Sequence, residues 1–198
     1  VECISILLIP MAMAFAFGFY LKRKRLGSVI YGVMLVGFLM GVGINVSQEM
    51  GGNSRIDAMG IAQNGGSMEG KEVRFGSAAT GLWSVVTTVT SNGSVNGMHD
   101  STMPLSGMME MLNMQINTWF GGVGVGWMNY FTFIIMAVFI SGLMVGRTPE
   151  FLGHKVEARE MKIASIVALL HPFIILVGTA LAAYLFVYAP DFVASEGG

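Results

Sequence analysis

Charge is what this chain has least of. Only 12% of its 198 residues are charged, against about a quarter in ordinary soluble domains. It is 54% hydrophobic, with a mean hydropathy of +0.66. A water-soluble fold of this composition would lack the polar side chains to cover its surface, so a multi-span membrane protein is the expected class. Cysteine is nearly absent. Cys3 stands alone, which excludes an intrachain disulfide and any cysteine cluster for a metal. A net charge of −1 gives a nucleic-acid partner no electrostatic support. The chain opens Val1-Glu2-Cys3 directly onto an apolar run, without an initiator methionine or a basic leader segment. It does not read as a signal peptide and is expected to be a piece of a longer polypeptide.

Glycine (27) and methionine (17) are plentiful. In membranes glycine permits close helix approach or irregular backbone, and methionine supplies flexible packing. Four apolar stretches, at about residues 3–21, 29–46, 127–145 and 163–188, are long enough to cross a bilayer core, which takes about 20 residues of helix. Pro10 in the first and Pro172 in the fourth are expected to kink their helices. A fifth apolar stretch, about 75–86, is too short to cross and has the length of a re-entrant segment.

Basic residues set the expected topology. Lys22, Arg23, Lys24 and Arg25 follow the first span, and Arg147, Lys155, Arg159 and Lys162 lie between the third and fourth. Eight of the 11 basic residues thus sit in two short loops, 22–27 and 147–162, which the positive-inside rule places in the cytoplasm. Span two then goes out and span three returns. Whatever lies between must enter and leave on the outer side, as a re-entrant hairpin does.

The hairpin would be built from a short helix, about 75–89, and the polar run Thr90-Ser91-Asn92-Gly93-Ser94-Val95-Asn96. Irregular backbone at membrane depth must be buried in protein or line a wet pathway. Gly93 adopts positive φ at little cost, and the negative end of the helix dipole favours a cation. Carbonyls of Thr90, Ser91, Asn92, Gly93 and Ser94 would replace the water shell of a small cation. The competing reading is an extracellular turn after a partly buried helix.

The stretch before it, about 47–74, is rich in glycine, asparagine and serine and reads as an exposed outer connector. Asn45-Val46-Ser47 and Asn92-Gly93-Ser94 match the glycosylation pattern, a signal too weak to carry weight. His99 and Asp100 follow the polar run as an outer mouth, with Asp100 capping the next turn or attracting cations. Gly121, Gly122, Gly124 and Gly126 make poor helix. They imply a broken span with halves at about 107–120 and 127–145, the break being either a gate or a close-packing seam. The loop 147–162 mixes charges at helical spacing and reads as a solvated face or a docking surface for a cytoplasmic partner.

The run from Thr87-Thr88 through Ser91-Asn92-Gly93-Ser94-Val95-Asn96 to Met98-His99-Asp100 carries a resemblance, as do Pro104-Leu105, Met111-Leu112-Asn113-Met114-Gln115 and Phe120-Gly121-Gly122-Val123-Gly124. Gly142-Leu143-Met144-Val145-Gly146-Arg147-Thr148-Pro149-Glu150 and Glu157-Ala158-Arg159-Glu160-Met161-Lys162 extend it over nearly the whole chain. Together they resemble the potassium-binding A subunit (KdpA) family of the Kdp potassium-transporting ATPases, within the superfamily of potassium transporters.

That resemblance implies an all-α membrane protein of span–pore–span repeats like those of a potassium channel, here a partial chain. Residues 1–27 would hold the closing span of the second repeat, 28–146 the third repeat, and 163–198 the opening span of the fourth. Thr90, Ser91, Asn92, Gly93 and Ser94 would form the third filter element, with Gly121, Gly122, Gly124 and Gly126 as the intramembrane gating loop. The implied role is non-catalytic: potassium (K+) is the transported ion, and no cofactor is bound. The implied partners are a P-type ATPase subunit (KdpB) that hydrolyses ATP, the small subunits KdpC and KdpF, the remaining repeats of the same polypeptide and the lipid of a bacterial inner membrane. One departure stands out. The family often carries a glutamate between the Met-Gln and Phe-Gly-Gly elements, and Gln115-Ile116-Asn117-Thr118-Trp119-Phe120 has none and is one residue shorter. Two other readings remain open: a stand-alone homotetrameric potassium channel subunit, and an intramembrane enzyme using His99 and Asp100.

Overall fold

Residues 2–121 and 125–188 are described in a computed structural model of the chain. The described chain is mostly helical. α1 (Glu2–Tyr20), α2 (Lys24–Gly51), α6 (Gly126–Val145) and α7 (Ala158–Tyr188) are each long and apolar enough to cross a membrane. Between them lie the short α3 (Ser54–Ala58), α4 (Gly76–Val89) and α5 (Pro104–Ile116). The two prolines lie inside helices that continue past them.

The chain divides into two units, Val1–Phe131 and Thr132–Gly198. In the first, α2 is the central post, packed by α1, α4 and α5. The α1–α2 hairpin is tight. Lys22 is left-handed (φ 53), the Lys22 amide donates to Phe19 O at 3.0 Å and the Arg23 amide to Gly18 O at 3.1 Å. This is a Schellman ending, which satisfies the orphan carbonyls within three residues. The helices then touch through glycine. A Cβ on Gly27 would lie 2.7 Å from the Gly18 Cα. The expected basic loop at 22–27 is therefore shorter, because Lys24 and Arg25 already belong to the first turn of α2.

The stretch 47–74 is mostly exposed, with Glu49, Gly66 and Ser67 as its buried residues. α2 runs on to Gly51 and buries Glu49 completely. Lys71 Nζ meets Glu49 Oε2 at 2.8 Å with both side chains at 0% exposure. The Ser67 amide donates to Glu49 O at 2.8 Å, and Gly66 sits so close that a Cβ would meet that same oxygen at 2.4 Å. Composition marks such residues as surface, but a paired and hydrogen-bonded charge can be buried.

In the second unit, α6 ends on another Schellman turn, with Gly146 at φ 70 and the Arg147 amide on Gly142 O at 3.0 Å. The following charged loop is not irregular. Glu150–Phe151 pairs antiparallel with His154–Lys155 around Leu152 (φ 53) and Gly153 (φ 84). Two successive positive φ values are what a two-residue hairpin of type I′ requires. α7 starts with Glu160 Oε2 accepting from the Glu157 amide at 3.0 Å, one half of a capping box.

Candidate functional site

The candidate site grows from α4, whose hydroxyl-rich sequence is buried. Thr80 Oγ1 donates to Gly76 O (2.9 Å), Ser84 Oγ to Gly81 O (3.0 Å) and Thr88 Oγ1 to Ser84 O (2.7 Å). Hydroxyls spent on their own helix cost little to bury, although such back-bonding weakens the helix slightly. Neighbouring helices supply further partners. Asn45 Nδ2 on α2 donates to Ser84 Oγ at 3.1 Å, and Asn113 Nδ2 on α5 to Thr88 Oγ1 at 3.3 Å.

α4 ends where the polar run begins. Thr90 is still right-handed and 3% exposed, and its hydroxyl donates to Val86 O at 2.7 Å, so it closes the helix rather than opening the strand. Ser91 turns left-handed (φ 54), and the Asn92 amide returns to Thr87 O at 3.0 Å. This is the long bond of a Schellman ending, with serine where glycine is usual, at a cost of roughly 1 kcal/mol of backbone strain. No basic residue occupies the last turn, so the negative end of the helix dipole is left uncompensated there.

Beyond the turn, residues Ser91 to Val95 are exposed. Gly93 has φ 78 with open space around it, so a side chain there is resisted by backbone conformation and not by crowding. Asn92 Oδ1 accepts from the Ser94 amide at 2.9 Å, and the Ser94 carbonyl accepts from Trp83 Nε1 at 3.1 Å. Among the described residues, no donor reaches the carbonyls of Thr90, Ser91, Asn92 or Gly93. The far end is stapled. Gly97 bridges to Lys71, the Met98 amide donates to Gly70 O at 2.8 Å, and a Cβ on Gly97 would meet Thr80 Cγ2 at 2.7 Å.

His99 and Asp100 lie in a single 3-10 turn, His99–Ser101. Asp100 is exposed and caps nothing: the caps of this turn and of α5 are Met98 and Met103, neither with a side-chain bond. His99 Nδ1 instead lies 3.6 Å from Glu110 Oε2, a buried carboxylate on α5 that also has Ser84, Asn45 and Glu49 as neighbours. The Met103 amide donates to Glu49 Oε1 at 2.8 Å, so Glu49 ties α2 to the loop before α4 and to the start of α5. At the surface, the Glu72 carboxylate beside Arg74 raises the guanidinium above its ordinary pKa.

The glycine break is only partly described. α5 stops at Ile116, earlier than the expected 120, because Asn117 turns left-handed (φ 43, ψ 37). Trp119 then lays its ring on α2, 2.4 Å from where a Cβ on Gly37 would be, and Phe120 is 1% exposed near Tyr31 and Phe38. The Gly126 amide donates to Gly121 O at 2.8 Å, bringing the two ends of the break together. Gly122 and Gly124 lie outside the described residues.

The family profile described as potassium-transporting ATPase A subunit matches residues 1–196. The chain belongs to that family. It is 88% identical over its whole length to the potassium-transporting ATPase potassium-binding subunit of Phocaeicola vulgatus, and 80% identical to that of Bacteroides thetaiotaomicron. It is also 46% identical, over 92% of the chain and 32% of the relative, to the potassium-binding subunit of Geobacillus kaustophilus. The chain spans 35% of the length of the first two of these relatives, so this family member is matched over about a third of a longer polypeptide.

Within this family segment, sequence reasoning singled out the polar run, the histidine–aspartate pair and the glycines. It missed Glu49, Glu110 and Asn113, which lie against α4, and Lys71 and Asn117, which meet the two ends of that run. Glu49 and Glu110 had one legible signal, since each is a carboxylate within or beside an apolar helix. The asparagines had none.

Proposed function

We propose that this chain is part of the potassium-binding, channel-like subunit of an ATP-driven potassium uptake system, and that α4 with the strand after it supplies one filter element, the third of four. The observation that carries the reading is the run of four successive carbonyls, Thr90 to Gly93, which no donor among the described residues reaches, at the uncompensated negative end of a buried helix. A cation held there exchanges its hydration shell for backbone oxygen. The Ser94 carbonyl, engaged by Trp83, anchors the strand in this arrangement.

In this reading the subunit is non-catalytic. A P-type ATPase partner (KdpB) hydrolyses ATP, KdpC and KdpF complete the complex, and the other filter elements come from the rest of the polypeptide. Gly121 and Gly126 flank the break that would gate the path beneath the filter. His99 and Asp100 sit at its outer mouth, and the basic stretches at 22–27 and 147–162 face the cytoplasm of a bacterial inner membrane. The greater length of the relatives favours one polypeptide with several such elements over a ring of four copies of this segment.

Growth at micromolar potassium tests the proposal, in a strain lacking its own high-affinity uptake. The full-length protein should restore growth, and its Gly93→Asp variant should not, because the variant combines a strained φ with a carboxylate beside the carbonyls. Normal rescue by Gly93→Asp would remove Gly93 from the filter.

A further inference from the structure

Asn117 joins the turn at the end of α4 to the break after α5. Its backbone is held on both sides: its amide donates to Asn113 O at 2.9 Å, and its carbonyl accepts from Asn129 Nδ2 at 2.8 Å. Its left-handed conformation is one that asparagine tolerates better than most residues. Its side-chain oxygen accepts from the Ser91 hydroxyl at 3.1 Å. The same oxygen fills the space where a Cβ on Gly121 would lie, 2.3 Å away, so glycine at 121 is what admits it. One helical turn earlier, Asn113 Nδ2 reaches Thr88 Oγ1. Asn113 in the last turn of α5 and Asn117 at its cap are therefore two successive contacts to the end of α4, meeting Thr88 in its last turn and Ser91 just beyond it.

We infer that Asn117 is a positioning residue for ion selectivity. By accepting the Ser91 hydroxyl it holds Ser91 in its left-handed turn, and that turn aims the carbonyls of Ser91, Asn92 and Gly93. The inference rests on the filter reading above. Its physical basis is that Ser91, unlike glycine, does not settle in this conformation unaided. The return bond from Asn92 to Thr87 is local to α4. Among the described residues, the side-chain bond to Ser91 from another element comes from Asn117.

The test uses the full-length subunit assembled in its transporter complex, measuring uptake of potassium and of rubidium. Asn117→Gly keeps the left-handed backbone and deletes the amide, and Ser91→Ala deletes only the hydroxyl. Each is expected to raise KM for potassium about tenfold, the scale of one lost hydrogen bond, and to lower the potassium-over-rubidium preference. The maximal rate should change less than the KM. The double variant should be no worse than either single, since both remove one interaction. Wild-type KM and ion preference in Ser91→Ala would overturn the inference, even if Asn117→Gly failed to assemble. So would fully additive effects in the double variant. Gly93→Asp separates the two layers: if it alters KM and preference while Asn117→Gly and Ser91→Ala do not, only the positioning role falls. If Gly93→Asp also changes nothing, the filter reading falls with it.

Discussion

α4 and α7 handle burial in opposite ways. Nine of the 14 residues of α4 are buried, and five of those nine are serine or threonine. α7 has 31 residues, most of them apolar, yet Ala164 is its one buried residue in the described chain. Apolarity alone therefore does not choose what goes inside a chain of this kind. In lipid an apolar side chain gains nothing by leaving the surface, so packing and hydrogen bonding between helices decide. α4 offers hydroxyls already bonded to its own carbonyls and small side chains that let α2 and α5 approach. α7 is apolar on every side, as suits lipid or the rest of a longer polypeptide.

This contrast can be broken from either side. The largest effect is expected where a charge is buried beside α4. Glu49→Ala leaves the Lys71 ammonium buried without its partner and should lower the stability of the full-length subunit in detergent by about 3–5 kcal/mol. Glu49→Leu combined with Lys71→Met should recover most of that loss in the same denaturation measurement. A small loss for Glu49→Ala would mean that water reaches Lys71.

A smaller loss is expected at the α1–α2 contact. Gly27→Val pushes a side chain against the Gly18 backbone and should cost about 1–3 kcal/mol, read from the melting temperature. Asn45→Ala removes a donor to Ser84 and should cost about 1 kcal/mol. Leu169→Ala on α7 is expected to do least. The side chain is 69% exposed, so the change should stay within about 0.5 kcal/mol. A loss several times larger would show that the face of α7 carrying Leu169 is packed by parts of the polypeptide beyond this chain, and the contrast with α4 would narrow.

Much of the fold was legible because its determinants are local. Apolar length marks the spans, and α1, α2, α6 and α7 stand where the four long stretches were read. The helix Gly76–Val89 covers nearly all of the apolar stretch at about 75–86 that is too short to cross. Helix ends were harder. Lys22, Ser91 and Asn117 take left-handed conformations without being glycine, and each shifts or sharpens a boundary that composition left vague. In the charged loop after α6, composition carries no sign of the hairpin that Leu152-Gly153 turns, and the loop is mostly exposed. Near the candidate site, Gly93 announced itself by residue type. Residue type points to Ser91 through its backbone carbonyl alone, whereas its side-chain hydroxyl donates to Asn117 Oδ1.

By itself, then, the sequence determined that this chain is a membrane protein, where its long helices run, and that a glycine-centred polar run follows a short helix. Hydropathy and backbone sterics act within a few residues, and both can be read directly. Tertiary structure alone decided which polar groups meet that run and the short helix before it. The Glu49–Lys71 pair, the Asn45–Ser84 bond and the Ser91–Asn117 bond each join different elements, the last across 26 residues. Such pairings depend on which helix faces meet, and no local pattern encodes that.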